Sequence, residues 1–209
     1  MSSPDQGAGS PPSYHHGNLP EALLAAAGQI IQHEGIARLT LRGVAEAVGV
    51  SHTAPYRHFK NKEELLAAFA ADAFGRLSSA IRAARDASTD GNSMLRLRAG
   101  CLAYVAFAER YPAQYEVMFD KQLHQGPHPT LQARGSDAFQ LLIDSLSECQ
   151  HAGLVRTGKP AEQAFAIWAA LHGVINLCRD QAPNVAPEAT LSRATELMLK
   201  TMLDGLHAD

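Results

Sequence analysis

Apolar residues recur every three or four positions along most of the chain, which is the spacing of amphipathic helices. Near the N-terminus, for example, Leu23, Ala27 and Ile30 follow this spacing before Gly35 ends the run. Apolar and polar residues nowhere alternate over a stretch long enough to predict a strand. Capping residues, glycines and prolines divide the chain into about nine helices. The pattern therefore predicts an all-α fold.

Caps and helix breakers set the predicted helix boundaries. An Asn-x-x-Glu capping box opens the first helix at Asn18 and Glu21, and the same pattern recurs at Asn61 and Glu64. The predicted helices cover residues 18–35, 40–49, 51–59, 61–87, 93–110, 112–119, 130–151, a segment that begins at 159, and 187–206. Two predicted loops, at 124–129 and 182–187, interrupt the second half of the chain.

Composition narrows the class of protein. The chain is 46% hydrophobic and 19% charged, which is typical of a globular protein. It contains no apolar run of about 18 residues, so we expect no membrane-spanning helix. Residues 1–13 have neither the basic nor the apolar region of a secretory signal, and we predict a disordered tail there. The three cysteines form no CxxC pair, which favours a reducing cytoplasm.

Residues 39–59 have the layout of a helix-turn-helix motif. A short helix turns Leu41 and Val44 inward, Gly49 supplies the backbone freedom for a tight turn, and Ser51 begins a second helix. In this motif the second helix lies in the major groove of DNA, with its first residues at the base edges. We therefore predict a DNA-binding unit over residues 14–62 and a second domain over 63–209.

The side chains around the second helix suit this role. His52, Thr53 and Ala54 form its first turn, where an imidazole can bond a purine edge and methyl groups can contact thymine. The hydroxyl, imidazole and ammonium groups that follow suit phosphates, and they belong to Tyr56, His58, Lys60 and Lys62. Three alternatives stay open: Tyr56 in the core, a structural His58, and Lys60 as a solvated surface charge.

The charge distribution agrees with this assignment. The whole chain carries a net charge of −3, which by itself argues against a nucleic-acid partner. Residues 15–62, however, hold five basic and three acidic residues, a net of +2, together with five histidines. Residues 63–209 carry a net of −4. Positive charge is therefore concentrated in the predicted DNA-binding unit, as an electrostatic footprint requires.

Residues 15–66 resemble the DNA-binding domain of TetR-family transcriptional regulators, on the segments LTLRGVAEAVGVS, YRHF and KNKEEL. YHHGNL and the later WAALHG, which holds Trp168, His172 and Gly173, resemble one subgroup named for a Trp-His-Gly motif. Pro55 stands where many relatives carry an aliphatic residue. The resemblance implies that Arg42 reaches a base or phosphate. The predicted DNA-contacting residues are Thr40, Arg42, Ser51, His52, Thr53, Ala54, Tyr56, His58, Lys60 and Lys62.

The remaining helices exceed what DNA reading needs, so we predict that they bind a ligand and form a dimer. Pockets between helices favour aromatic side chains, and the pocket candidates are Tyr104, Phe107, Tyr115, Met118, Phe119, Trp168 and His172. Small and apolar residues on the last two helices predict a two-fold interface, formed by Phe165, Ala169, Gly173, Leu191, Ala194, Met198 and Met202. Packing of these two helices within their own domain is the alternative.

The predicted function is that of a homodimeric repressor, with no cofactor, which binds a pseudo-palindromic operator and is released by a small, largely apolar ligand. One rival is a helical metalloenzyme, because Glu148-x-x-His151 and Asp204-x-x-His207 have the spacing of di-metal ligands. His124 and His128 form a further histidine pair in the loop at 124–129. Helix capping accounts for His151 and His207, and the chain has no nucleophile elbow or phosphate loop. A DNA-binding protein without a ligand is the other rival.

Overall fold

The structure, a computed structural model, describes residues 18–88, 91–180 and 190–206. Its helices are α1 Leu19–Glu34, α2 Leu41–Val48, α3 Lys62–Asp86, α4 Ser93–Arg110, α5 Pro112–Met118, α6 Lys121–Gln125, α7 Pro129–His151, α8 Pro160–Arg179 and α9 Leu191–Asp204. Two single 3₁₀ turns lie at Ile36–Arg38 and Pro55–Arg57. Within the described ranges there is no strand, and the predicted all-α fold is confirmed. The predicted tail at 1–13 and loop at 182–187 lie outside these ranges.

The turn between α2 and the next segment forms as the sequence predicts. Thr40 caps α2, because its hydroxyl oxygen accepts a hydrogen bond from the Gly43 amide at 2.9 Å. Gly49 ends the helix with φ 76° and ψ 31°, in the left-handed region that favours glycine. Val44 and Ala45 on the inner face of α2 are fully buried. These contacts hold α2 against α1 and leave its other face in solvent.

The segment after the turn differs from its prediction. We expected a helix over 51–59, but the chain forms a turn followed by the 3₁₀ turn Pro55–Arg57. Proline has no amide hydrogen, so Pro55 cannot make the helical bond to the Ser51 carbonyl. Instead the Ala54 amide bonds to the Ser51 carbonyl, and the amides of His58 and Phe59 share the Pro55 carbonyl. Pro55 and Phe59 are buried and fasten this segment to the core.

Helix α3 joins the two parts of the molecule. Its predicted cap is present: the Asn61 side chain accepts from the Glu64 amide at 2.8 Å, and the Glu64 carboxylate accepts from the Lys60 amide at 2.7 Å. The corresponding cap on α1 does not form, since Asn18 makes no side-chain bond. Pro20, in the second helical position, lacks one of the two amides that such a cap would use. Over its 25 residues α3 packs against α1, α4, α5 and α7.

The other helices build a layered bundle around α3. Helices α4 and α7 pack on α3, α8 packs on α7 and α4, and α9 covers α8 and touches α4. One predicted loop is wrong in part, because His124 and Gln125 belong to the short helix α6. Asp120 caps α6 by accepting from the amides of Gln122 and Leu123, and the buried Leu123 anchors it. A five-residue helix is too short to show an apolar periodicity, so the Asp120 cap is the sequence signal that marks α6.

Replacing Gly49 by alanine should destabilise the fold, because the left-handed conformation costs a residue with a Cβ about 1–2 kcal/mol. Gly75→Ala is the matched control. A Cβ at Gly75 would meet no atom within 4 Å, and alanine favours a helix interior by about 1 kcal/mol. Urea denaturation should therefore shift the two midpoints in opposite directions, and equal shifts would contradict the backbone argument.

Candidate DNA-binding surface and ligand cavity

The segment after Gly49 presents a small polar surface. Ser51, His52 and Thr53 are exposed, and the hydroxyls of Ser51 and Thr53 lie 3.2 Å apart within hydrogen-bonding distance. The Tyr56 side chain is 55% exposed, which disfavours the alternative that it belongs to the core. Ala54 is half-buried. The outer face of this turn can therefore meet a partner through hydroxyl, imidazole and phenol groups.

Pro55, which stands where many relatives carry an aliphatic residue, is buried. Its ring packs inward and is not available to DNA, while its neighbours Tyr56 and Arg57 point to solvent. Arg57 was absent from the predicted contact set. Its cationic side chain is exposed on the same 3₁₀ turn as Tyr56, so the structure adds a positive group beside the predicted phosphate contacts. His58 is exposed as well.

Three predicted cationic residues occupy different environments. Arg42 is exposed on α2, and Lys60 has a side chain that is 86% exposed, with its ammonium 3.4 Å from the Glu64 carboxylate. Lys62 instead turns back along the protein: its ammonium donates to the Ile36 carbonyl at 2.6 Å and lies 3.3 Å from the Ala37 carbonyl. Lys62 thus ties the start of α3 to the turn after α1.

The hydrogen bond from the Lys60 backbone to Glu64 has an electrostatic consequence. This bond, together with the Lys60 ammonium and His128, holds the pKa of the Glu64 carboxyl below its usual range. Glu64 therefore stays ionised at neutral pH. The link between Phe59 and α3 is a single residue whose amide and ammonium are both held by that carboxylate.

A cavity of about 520 Å³ lies among α3, α4, α7 and α8. Of the seven predicted pocket residues, Tyr104, Phe119 and Trp168 line it. Phe165, predicted at the dimer interface, lines it too. The sequence did not indicate the α7 wall, which includes Gln132, Ser136, Phe139 and Ser145. The volume is in the range of small-molecule sites.

The four other predicted pocket residues lie outside the cavity wall. Phe107 and Met118 are buried in the surrounding core. Tyr115 and His172 stand behind the wall in a chain of hydrogen bonds. The Trp168 indole donates to the Tyr104 hydroxyl at 3.2 Å, the Tyr104 and Tyr115 hydroxyls are 3.0 Å apart, and the Tyr115 hydroxyl is 2.6 Å from His172 Nδ1. That a ligand contacts these four residues stays a prediction.

Burial keeps the side chains of this hydrogen-bonded series uncharged. It raises the pKa of Tyr104 to about 12 and raises that of Tyr115 as well. Burial also lowers the pKa of His172, and the nearby Arg179 cation lowers it further. Two neutral phenols and a neutral imidazole are therefore present at pH 7, so the cavity has no fixed charge on this side.

The residues predicted at the dimer face lie along an apolar stripe on α8 and α9, to which the structure adds the exposed Leu177 and Leu197. Phe165 and Leu177 on α8 are 60% and 54% exposed, and Leu197 on α9 is 67% exposed. Ala169 is exposed between the two α8 residues, and a Cβ added at Gly173 would meet no atom within 4 Å. Leu191, Ala194, Met198 and Met202 are half-buried along α9. The α8 residues recur every four positions, so they form one continuous strip.

Glu148 and three of the histidines that the metalloenzyme alternative would use are engaged in other contacts. Glu148 accepts hydrogen bonds from Arg85 at 2.8 Å and Arg96 at 3.4 Å, while His151 Nδ1 donates to the Ser147 carbonyl. His124 Nε2 donates to the Met118 carbonyl, and His128 Nε2 bonds Glu63 at 2.8 Å. His207 lies outside the described residues. In the described ranges, no three His, Cys, Asp or Glu residues form a group that could hold a metal ion.

The fold and the exposed helix-turn-helix surface define a helical DNA-binding regulator, and comparison with known families agrees. Residues 23–69 match the profile of bacterial regulatory proteins of the tetR family. Residues 97–202 match the tetracyclin repressor-like C-terminal domain. The chain belongs to the tetR family and is a DNA-binding transcriptional regulator. The family and the fold point to a transcription regulator rather than to an enzyme.

Individual relatives support the same assignment. The nucleoid occlusion factor SlmA of Marinobacter nauticus is 31% identical over 144 residues, which cover 66% of this chain and 69% of SlmA. The uncharacterized HTH-type transcriptional regulator YvkB of Bacillus subtilis is 24% identical over 196 residues, covering 90% of this chain and 96% of YvkB. No helix in the described ranges is long and apolar enough to span a membrane.

Solved structures share the whole architecture. A protein of unknown function from Rhodococcus sp. RHA1 is 29% identical, with a TM-score of 0.83, and the match covers 94% of this chain and all of that one. SmeT, the repressor of the Stenotrophomonas maltophilia multidrug efflux pump SmeDEF, is 25% identical, with a TM-score of 0.69 and 91% coverage of both chains. Both matches extend through the helix-turn-helix and the C-terminal bundle.

Alanine substitutions of Lys60 and Lys62 should distinguish a lysine that contacts only phosphate from one that also stabilises the fold. Lys60→Ala should weaken binding to all DNA sequences alike and reduce the magnitude of the salt slope by about one. Lys62→Ala should have the same effect on DNA and should also lower the free energy of unfolding by about 1 kcal/mol, because its two carbonyl partners lose a donor. Salt titration of non-specific DNA binding, with urea denaturation, checks both; altered base preference in either variant would contradict a phosphate role.

Acid should destabilise the protein through His172. Its pKa in the folded state lies below the ordinary value, so protons bind the unfolded chain first as pH falls below about 6.5. The stabilising contribution is therefore present above that pH and is lost below it. His172→Gln should reduce the loss of stability between pH 7.5 and pH 5 in urea denaturation. The exposed His33→Gln variant should keep the wild-type loss, and equal behaviour of the two variants would contradict the assignment.

Proposed function

We propose that this regulator is a homodimeric repressor that binds a pseudo-palindromic operator and is released when a small, largely apolar molecule enters the cavity. The observation that carries the proposal is the position of α3. Phe74, Leu77 and Ile81 of this helix line the cavity. Its Asn61 cap follows residues 51–59, the segment that we propose faces DNA (the DNA-facing segment), after one residue. A molecule that displaces this wall therefore moves the helix to which the DNA-facing segment is joined.

Contacts at the cavity wall can transmit a displacement of α3 to the DNA-binding part. The Phe74 ring on α3 meets the Phe119 ring, which follows α5, edge-on, with centroids 5.7 Å apart. Both rings line the cavity, and α5 also packs on α1 of the DNA-binding part. A ligand between these aromatic groups would bind best where the helices are apart. A preference of about 1–3 kcal/mol for that arrangement would lower operator affinity about 5–150-fold.

At the DNA, Thr40, Arg42 and Ser51 to Ala54 are proposed to lie at the groove, with His52 and Thr53 at the base edges. Tyr56, His58, Lys60 and Lys62 are proposed to contact phosphates, and Arg57 joins them. The exposure of His52, Thr53 and Tyr56 supports these roles. Thr40 is also engaged as the α2 cap, so its hydroxyl has a structural function as well.

Dimer formation is proposed through the stripe on α8 and α9, because a monomer would leave Phe165, Leu177 and Leu197 in water. One helix-turn-helix reads only a few base pairs, so two copies are needed to specify a site. We further propose the Trp-His-Gly subgroup on the basis of Trp168, His172 and Gly173. A cytoplasmic location is proposed from the three cysteines, which are all free thiols.

Leu197→Glu should convert the dimer into a monomer, because the two-fold interface would then bury a carboxylate without a partner. Ala133→Glu, at an exposed position on α7, is the control and should leave the dimer intact. Sedimentation equilibrium at micromolar concentration measures both. The Leu197→Glu variant should also lose affinity for a palindromic site while it keeps its helical circular dichroism. A wild-type monomer at that concentration would overturn the proposed dimer.

Substitutions at Thr53 should change the preferred base at one position in each half-site. An altered contact with a base edge is worth about 1–3 kcal/mol of discrimination. Selection from randomised duplexes with wild type, Thr53→Ser and Lys60→Ala measures this preference. A changed preference in Lys60→Ala and none in the Thr53 variant would reverse the two assignments.

The release step is tested by operator titration with and without a compound that saturates the cavity. Tyr104→Trp, which adds volume at the cavity wall, should either mimic the compound or block its effect. If a compound saturates the cavity while operator affinity stays the same, the proposed sensing mechanism fails for that compound.

A further inference from the structure

The polar groups deep in the cavity already donate hydrogen bonds within the protein. The Trp168 indole donates to Tyr104, and the Ser145 hydroxyl donates to the Leu141 carbonyl at 2.6 Å. The exposed His124, at the edge of the wall, likewise has its Nε2 occupied as a donor to the Met118 carbonyl at 2.7 Å. A polar ligand group placed beside them would lose its water and find these donors occupied. The inner part of the cavity therefore favours an apolar surface.

The cavity wall also lacks full charges. Among the described residues that line it, none is Asp, Glu, Lys or Arg. A charge carried inside would have no counter-charge to compensate for its lost hydration. The wall is aromatic instead: the rings of Phe119, Phe139 and Phe165 lie about Trp168 with centroids 6.0, 6.1 and 6.1 Å away. Aromatic pairs are attractive at such distances, which favours a ring system as guest.

The polarity changes where the cavity meets solvent. On α7, Gln132 and Ser136 line the cavity and are exposed. The Ser136 hydroxyl has no hydrogen-bond partner within the described ranges, and the Gln132 amide makes only a long bond of 3.5 Å to the Gly126 carbonyl. This mouth can therefore offer a donor and an acceptor to a ligand without breaking a strong bond in the protein.

We propose that the cavity takes an uncharged aromatic molecule whose rings lie against Trp168 and whose single neutral polar group is held at the mouth by Ser136 and Gln132. This inference rests on the proposed function only in assigning the cavity as the effector site. It specifies a ligand with one neutral polar end and an otherwise apolar, aromatic body. Molecules that must carry a charge inward are excluded.

Three related probes test the ligand class by isothermal titration calorimetry of the full chain without DNA: biphenyl, 4-phenylphenol and biphenyl-4,4′-dicarboxylate. The dicarboxylate must bury one charge in either orientation, so its affinity should be at least about 100-fold below that of 4-phenylphenol. The hydroxyl of 4-phenylphenol should improve on biphenyl about 2–10-fold. Trp168 is the one tryptophan of the chain, so its single indole N–H resonance should shift with both neutral probes and thereby place them in this cavity.

Two serine variants locate the polar end. Ser136→Ala should remove the preference for 4-phenylphenol over biphenyl, while Ser145→Ala should preserve it, because the Ser145 hydroxyl is already bonded to Leu141. Dicarboxylate binding as tight as that of 4-phenylphenol would overturn the proposal. So would the absence of binding by both neutral probes, an unmoved indole resonance, or loss of the preference in Ser145→Ala alone.

These titrations are independent of DNA release. If 4-phenylphenol binds as expected but leaves operator affinity unchanged, the ligand class stands and the sensing mechanism fails for that compound. If release occurs with a molecule that binds away from Trp168, the ligand class fails and repression with release remains.

Discussion

The direct join between the DNA-facing segment and α3 is the constraint on which the other features depend. Only Lys60 separates buried Phe59 from the Asn61 cap, and its amide is held by the Glu64 carboxylate at 2.7 Å. The segment and the helix must therefore move together. Since α3 then continues for 25 residues into the C-terminal bundle, its far half forms part of the cavity wall. One helix thus connects the proposed DNA-contacting segment with the cavity wall.

The polar groups in and directly behind the cavity wall are largely hydrogen-bonded to one another. The hydrogen bonds that join Trp168, Tyr104, Tyr115 and His172 supply partners that water or a ligand would otherwise have to provide. Burial keeps the phenols and the imidazole neutral. The result is a largely apolar cavity with polar groups available at its mouth, so the affinity of the proposed ligand would depend mainly on shape and desolvation.

Local chemistry predicted the caps of α2 and α3 and the turn after α2, and it predicted the cavity only in part. Thr40, Gly49 and Asn61 act as predicted, because a cap or a left-handed turn is decided by a few neighbouring atoms. The same reasoning missed the effect of Pro55, where the lost amide and a buried ring produce a 3₁₀ turn in place of a helix. In the cavity, aromatic content identified Tyr104, Phe119 and Trp168. The same content cannot distinguish a wall residue from a core residue such as Phe107.

The sequence by itself determined the helical class, most helix boundaries and the glycine turn after α2, since periodicity, caps and breakers act within about four residues along the chain. Tertiary structure decided what those residues face. Lys62 reaches carbonyls 25 and 26 positions away, and Ser136 and Gln132 meet the aromatic groups of α8 only when α7 and α8 pack together. Such contacts depend on the three-dimensional arrangement of whole helices, which local sequence patterns do not encode.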